Sequence, residues 1–369
     1  VTENTLFIQA IQLNNYRSYS NQYFEFDSKL NCITGDNGIG KTNLLDAVYY
    51  GCFSRSYFQK NDSFNYTHAE SFLRLKLKVS KENNNYLITI VSKNEGGKKI
   101  EKNGNQLEKI THHLGEHPVV FFAPGDIALI EGGSEERRRL IDGFIGQLDK
   151  AYVENLSIYK KILLQRKSLL EIAFKKGRLD FDLLASYNEQ LCPAGNYIHE
   201  VRKKYSSEIN EKIKNYYHYL SEQDEEVDWN YISHLHEGSF QDLLNNSLQE
   251  DRVRCTTSSG IHKDDYDFGI KGMSLKKTGS QGQQKTYLLA LKLAMYDILK
   301  EKTKIKPILL LDDIFDKLDS KRINKLFDLI SQDNFGQIFI SHTNKEDIVD
   351  ICLKHGINPH LIELKKETL

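Results

Sequence analysis

Eight residues near the start constrain this chain more than any others. Gly35-Asp36-Asn37-Gly38-Ile39-Gly40-Lys41-Thr42 fits in full the pattern of a glycine, four residues, then glycine, lysine and a hydroxyl residue that cradles phosphate. Such a loop needs a strand before it and a helix after it, and both are legible. Leu30–Thr34 reads as a short strand. Asn43 to Phe53 carries Leu44, Leu45, Val48 and Tyr49 at the spacing of one helix face. Glycines let the backbone wrap phosphate oxygens, so that N–H groups at the helix start face the anion. Gly35 to Asn43 are therefore the candidate nucleotide contacts. Lys41 would neutralise the β- and γ-phosphates of ATP, and the Thr42 hydroxyl would hold Mg²⁺.

Two distant segments complete the chemistry. Pro307 precedes the all-apolar Ile308-Leu309-Leu310-Leu311, the pattern of a central parallel strand. It delivers Asp312 and Asp313 at its C-terminal end, where α/β sheets place ligands. Asp312 would take Mg²⁺ through water, and Asp313 would orient or deprotonate the attacking water. Asp is one methylene shorter than Glu, so slow hydrolysis is expected. Ser280-Gln281-Gly282-Gln283-Gln284 opens a helix over Gln283–Leu299. Its N–H groups and the Ser280 hydroxyl could grip a γ-phosphate, with Gly282 and Gln283 as further contacts. Taken alone, the same turn is an ordinary helix cap. His342 follows a buried strand at Gly336–Ile340; taken alone, a histidine at a strand end is more often structural, and its place as a second catalytic residue beside Asp313 rests on the resemblance stated below.

Elsewhere, Leu6–Leu13, Gln22–Phe26, Tyr86–Ser92 and Val119–Phe122 read as strands, and Phe72–Val79 alternates strictly. Asn83-Asn84-Asn85 and Glu95-Gly96-Gly97 read as hairpin turns. From Ser134, placed as an N-cap with Glu135 and Glu136 behind it, to about Leu220 the pattern is helical, and Pro193 should kink or break it. Val253–Thr257 reads as strand-like, and Arg322–Ile330 as a helix. The domains expected are 1–133, an inserted helical domain over 134–250, and 251–369.

The charge balance is −1, from 50 basic and 51 acidic residues. Nothing global advertises nucleic acid, so any DNA contact must come from a local patch. The five cysteines lack metal-ligand spacing and read as reduced thiols. No apolar run approaches the roughly 20 residues of a membrane span, and no secretory signal is visible. A cytoplasmic protein without a membrane partner is expected.

The motifs in order resemble the RecF family of bacterial recombinational repair. Supporting runs are Leu13-Asn14-Asn15-Tyr16-Arg17-Ser18-Tyr19, the phosphate loop with Asn43-Leu44-Leu45-Asp46-Ala47, and Ser54-Arg55-Ser56-Tyr57. Phe122-Ala123-Pro124-Gly125-Asp126, Arg137-Arg138-Arg139, His262-Lys263-Asp264-Asp265 and Ser280–Lys285 follow. The resemblance implies an α/β, ABC-type (SMC/Rad50-like) ATPase head with an inserted helical domain. Ser280–Gln284 is then the signature motif, Ile308–Asp313 the Walker B strand, Asp319 the D-loop and His342 the switch histidine. It further implies an ATP-dependent homodimer whose signature faces the partner's nucleotide. That dimer would clamp double-stranded DNA near single-strand junctions, with slow, DNA-stimulated ATP turnover. RecR is implied as a partner, with RecO and RecA downstream. Departures are Gly125, where the family usually has an acidic residue, Lys263 in place of Arg, and no Gln over Ala123–Asp126. Asp126 is given a nucleotide role. DNA candidates are Lys98, Lys99, Arg137, Arg138, Arg202, Lys203 and Lys204, with Arg55 open between phosphate, DNA and ion pair. The alternatives are an ATPase of the same fold serving a transporter or nuclease, and an adaptor that binds ATP as a structural ligand.

Overall fold

The computed structural model describes residues 5–82, 84–221, 225–315, 318–332 and 334–366. The chain divides into two compact units. One takes the residues up to 127, 216–224 and those from 280 on; the other takes 128–215 and 225–279.

The first unit holds two sheets. One has five parallel strands in the order His360–Glu363, Leu30–Thr34, Ile338–His342, Ile308–Leu311, Val119–Phe122. All but the edge strand His360–Glu363 are buried along their length, which is why they read as unbroken apolar runs. Register sets Thr34 against His342, and Leu311 between Ile340 and Phe122. The loops that follow these strands therefore emerge along one edge.

The other sheet is antiparallel, in the order Tyr19–Glu25, Leu6–Tyr16, Phe72–Lys81, Asn84–Lys93, Gly97–Lys102, Asn105–Gln106. Leu73, Leu75, Leu77 and Val79 are fully buried, each worth about 1.5–3 kcal/mol of apolar burial. The helix Lys41–Phe53 lies close on this face. A Cβ at Gly51 would stand 2.6 Å from a Leu77 methyl, so only glycine permits the approach. The turn over Glu95-Gly96-Gly97 joins two strands as expected, with Gly96 at φ 102°. Asn84 and Asn85 belong to a strand rather than a turn, and Asn83 lies outside the described residues.

The second unit contains the helices Ser134–Gly146 and Lys150–Lys176, most of Phe181–Ser221, and a three-stranded antiparallel sheet. Phe181–Ser221 runs unbroken through Pro193. Leu191, Ala194 and Ile198 are buried around it, and a Cβ at Gly195 would meet the Phe240 ring at 2.5 Å, so tertiary packing holds the segment where proline removes a helix bond. Ser134 is the first helical residue and Gly133 the cap; the Ser134 hydroxyl instead accepts from Arg138 at 2.7 Å. Val253–Thr257 is not a strand. Leu248–Arg254 is a helix, Val253 is 76% exposed, and the sheet pairs Asp265–Ile270 with Val227–Ile232 on one side and Met273–Ser274 on the other. That pairing, with Trp229 stacked on Tyr266 at 5.0 Å, carries the second unit on to residue 279, beyond the limit at 250 read from the sequence. No helix among the described residues is long and apolar enough to cross a membrane.

Candidate nucleotide site

The phosphate loop joins the strand Leu30–Thr34 to the helix Lys41–Phe53, with Gly35, Gly38 and Gly40 at φ 144°, 78° and 115°. These are conformations that favour glycine. Asp36, Asn37 and Gly38 are exposed, and Ile39 is half-buried. A Cβ at Gly40 would lie 2.9 Å from the Tyr19 hydroxyl, which donates to the Gly40 carbonyl at 2.9 Å. No side chain caps this helix, so its first N–H groups stay available to an anion. The Lys41 ammonium is buried and donates to the carbonyls of Gly35 and Asp36 at 2.8 and 3.0 Å. Asn43 faces the preceding hairpin: it accepts from Arg17 at 3.1 Å and donates to Ser18 at 2.9 Å. Arg17 pairs with buried Asp46 at 2.7 Å, and Asp46 also accepts from Tyr16, Ser56 and the Tyr57 N–H. The hairpin is thereby fastened to the helix that begins at Lys41.

Thr42 and Asp312 meet. The Thr42 hydroxyl lies 3.1 and 2.9 Å from the two Asp312 carboxylate oxygens, although 270 positions separate the residues. Ser341, which sequence reasoning missed, completes the arrangement. Its hydroxyl donates to Asp312 at 2.6 Å and accepts the Asp313 N–H at 2.9 Å. The only signal for it in the sequence is a hydroxyl residue at the end of an apolar strand. Asp313 is held at φ 46°. Burial pushes the Asp312 carboxyl up to about 6, and neighbouring Asp313 adds to this, while Ser341, Thr42 and Lys41 pull it back. His342 is buried, stacked on Phe315 at 4.4 Å, with Nε2 3.4 Å from an Asp347 oxygen and Nδ1 without a hydrogen-bond partner among the described residues.

Ser280 caps the helix Gln281–Thr303. Its hydroxyl accepts the Gln283 N–H at 3.2 Å, and the Gln283 side chain accepts the Ser280 N–H at 2.8 Å, a reciprocal capping box. Ser280 is exposed and Gly282 is half-buried. The structure therefore brings Lys41, Thr42, Asp312 and Asp313 into one cluster, sets His342 on the adjacent strand, and holds Ser280, Gly282 and Gln283 in a separate turn.

Several cations named from the sequence are already engaged. Arg137 donates to both Asp265 oxygens, at 2.7 and 3.0 Å, and to the carbonyls of Leu129 and Gly132. Arg202 is 1% exposed and bonds Asp142, Asp264, Tyr152 and the Ile261 carbonyl. Removing Arg202 would leave the buried Asp264 carboxylate without its cation, and all the Arg137 nitrogens are already spent on the fold. Lys98 pairs with Asp62 at 2.7 Å, and Arg138 donates to Ser134 and to the Asp264 carbonyl. Arg55 lies over the Phe53 ring at 4.7 Å. Lys99, Lys203 and Lys204 are exposed. Asp126 is likewise spent: it accepts from Tyr57 and the Ala123 N–H and pairs with buried Lys292 at 3.2 Å.

Among the described residues no group of three or more His, Cys, Asp or Glu could hold a metal. Thr42 and Asp312 instead offer hard oxygens from two side chains, which suits Mg²⁺, an ion usually bound through few protein ligands with phosphate and water as the rest.

A parallel sheet with a phosphate loop, an acidic strand end and His342 along one edge, in a chain interrupted by a helical unit, defines an ABC-type ATPase head of the SMC kind. The model of the RecF/RecN/SMC N terminal domain matches residues 7–354. The DNA replication and repair protein RecF of Flavobacterium johnsoniae is 41% identical over 339 residues, covering 92% of this chain and 94% of the relative. That of Bacteroides thetaiotaomicron is 38% identical, covering 95% of each. A solved structure of the recombination mediator protein RecF-ATP in the RecFOR pathway is 32% identical, with TM-score 0.85 over 93% of each chain. An Smc head domain from Pyrococcus furiosus, 17% identical with TM-score 0.52 over 95% of this chain and 92% of that one, shares the fold. The chain belongs to the RecF family.

Proposed function

We propose that this chain is an ATP-dependent DNA-binding protein of recombinational and replication-gap repair. Two copies would pair around ATP, each nucleotide held between the phosphate loop of one and Ser280 of the other. The pair would clamp double-stranded DNA near single-strand junctions and, with RecR and RecO, help load RecA. Slow, DNA-stimulated hydrolysis would release it. The observation that carries the reading is the Thr42–Asp312 contact at 2.9 Å, which joins phosphate loop and acidic strand end at an open helix N-terminus. Thr42 and Asp312 would hold Mg²⁺, which when bound would neutralise charge on the β- and γ-phosphates. Lys41 would exchange its loop carbonyls for phosphate oxygens. Asp313, steered by Ser341, would take the proton of the attacking water, and His342 would donate to the γ-phosphate. Free energy of ATP binding then becomes free energy of pairing.

The test is light scattering on Asp313→Asn with ATP and Mg²⁺, with and without a gapped duplex. Mass should double with ATP, and the duplex should strengthen the pair. A protein that binds ATP and stays single would overturn the composite site.

For DNA, the outer face of the antiparallel sheet is the favoured surface. Arg74, Lys76 and Lys78 alternate with the buried leucines, and register places Lys93 and Lys99 on the same face. Among the described residues none of the five has an ion pair or a side-chain hydrogen bond, so their charge is free for phosphates. Replacing Arg74, Lys76 and Lys78 together by alanine should weaken duplex binding for all sequences. It should also flatten the dependence of log affinity on log salt by about 2–3 units. An unchanged slope would take DNA off this face.

A further inference from the structure

One guanidinium beside the signature turn has no role so far. Arg322 stands third in the helix Ser320–Ser331. The helix cap Asp319 accepts its backbone N–H at 2.9 Å through one carboxylate oxygen and its Nη1 through the other. The guanidinium also reaches the first turn of Gln281–Thr303. A Cβ at Gly282 would lie 3.7 Å from Nη1, 3.8 Å from Nη2 and 3.9 Å from the Ser280 hydroxyl. The space that glycine leaves at 282 is thus flanked by a hydroxyl and a cation.

Arg322 Nε is buried and has no hydrogen-bond partner among the described residues. A buried donor left unmade needs an explanation, and guanidinium groups hold oxyanions through two parallel N–H groups. With Nη1 taken by Asp319, the Nε and Nη2 pair remains. The Asp319 side chain is 53% exposed, and ion pairs with so exposed a partner are weak, so it can yield to a phosphate.

We propose that Arg322 is a further residue of the composite site, binding the γ-phosphate in trans together with Ser280, on the nucleotide seated in the partner chain's phosphate loop. This rests on the composite-site reading above. Water oxygen bonds to the γ-phosphorus, the bond to the bridging oxygen breaks with its electron pair on ADP, and Asp313 takes the water proton. Arg322 stabilises the charge on the γ-phosphoryl oxygens during that step, as pre-oriented donors do.

Arg322→Ala should bind ATP as a single chain with wild-type affinity, because the arginine does not serve its own chain's phosphate loop. Turnover should fall about 100-fold. Mixing it with Asp313→Asn should then restore turnover, since in the mixed pair the intact Asp313 of one chain faces the intact Arg322 of the other. An arginine acting within its own chain gives no restoration, as does one that only supports the fold. Ser280→Ala mixed with Asp313→Asn is the control. Restoration there but not with Arg322→Ala overturns the role of the arginine and leaves the composite site standing; no restoration in either removes both. Should the alanine variant not fold, Arg322→Lys carries the same mixing test.

Discussion

Asp312→Asn is expected to lose Mg²⁺-dependent ATP turnover by about 1,000-fold or more, the several kcal/mol a bound metal ion contributes, while melting at a higher temperature than the wild type at pH 8 without metal. Both effects have one origin. Asp312 is 1% exposed, with its oxygens on the Thr42 and Ser341 hydroxyls. Burial raises its pKa to about 6 from the ordinary 3.8, so the fold favours the neutral acid. Its contribution to stability is complete below pH 3.8 and is lost as pH rises through 6; at pH 8 the native state carries a buried carboxylate. Asparagine removes that charge and keeps an acceptor. A carboxyl raised from 3.8 to about 6 costs roughly 3 kcal/mol at most when it ionises in the fold. Thermal melts with chelator at pH 8 and pH 5 should show a gap that narrows by about half at the lower pH, which lies between the two pKa values, and phosphate release by the variant, assayed with Mg²⁺, should be absent at both. Unchanged turnover would sink the metal assignment. A gap as wide at pH 5 as at pH 8 would sink burial of charge as its cause.

Local patterns made part of this protein legible. A phosphate loop announces itself through contiguous residues, and the buried strand Ile308–Leu311 through an apolar run that no solvated segment tolerates. The alternation Leu73, Arg74, Leu75, Lys76, Leu77 marks a sheet with one free face. What was hidden depends on partners far away in the chain. Arg137 and Arg202 look like free cations beside other basic residues, but their carboxylates stand 128 and 62 positions away, and no periodicity links them. Val253 belongs to a β-prone cluster, yet no strand lies ready to pair with it, and the unit builds its sheet from 227–232 and 265–274 instead. Ser341 acquires its role only when Ile338–His342 is paired with Ile308–Leu311.

Ser280→Arg is expected to leave the ATP affinity of the single chain unchanged and to abolish ATP-dependent pairing, measured in the Asp313→Asn background so that hydrolysis does not intervene. The residue is exposed, and within its own chain it caps a helix. Losing that cap costs about 1 kcal/mol, too little to unwind a 23-residue helix whose inner face, from Tyr287 to Leu299, is buried. The variant should therefore fold. Across an interface the same change is severe. The hydroxyl that would donate to a partner's γ-phosphate is gone, and a long side chain stands where two surfaces must close to hydrogen-bonding distance. Because a ligand that binds the pair more tightly than the single chain favours pairing by mass action, removing the partner's contacts to the nucleotide removes that free energy without touching Lys41 or Thr42. Equilibrium nucleotide binding and light scattering separate the two quantities. Normal binding with no pairing places Ser280 in the partner's site. A pair that survives arginine at this position would return ATP to one chain alone, and Arg322 would then have no phosphate to hold.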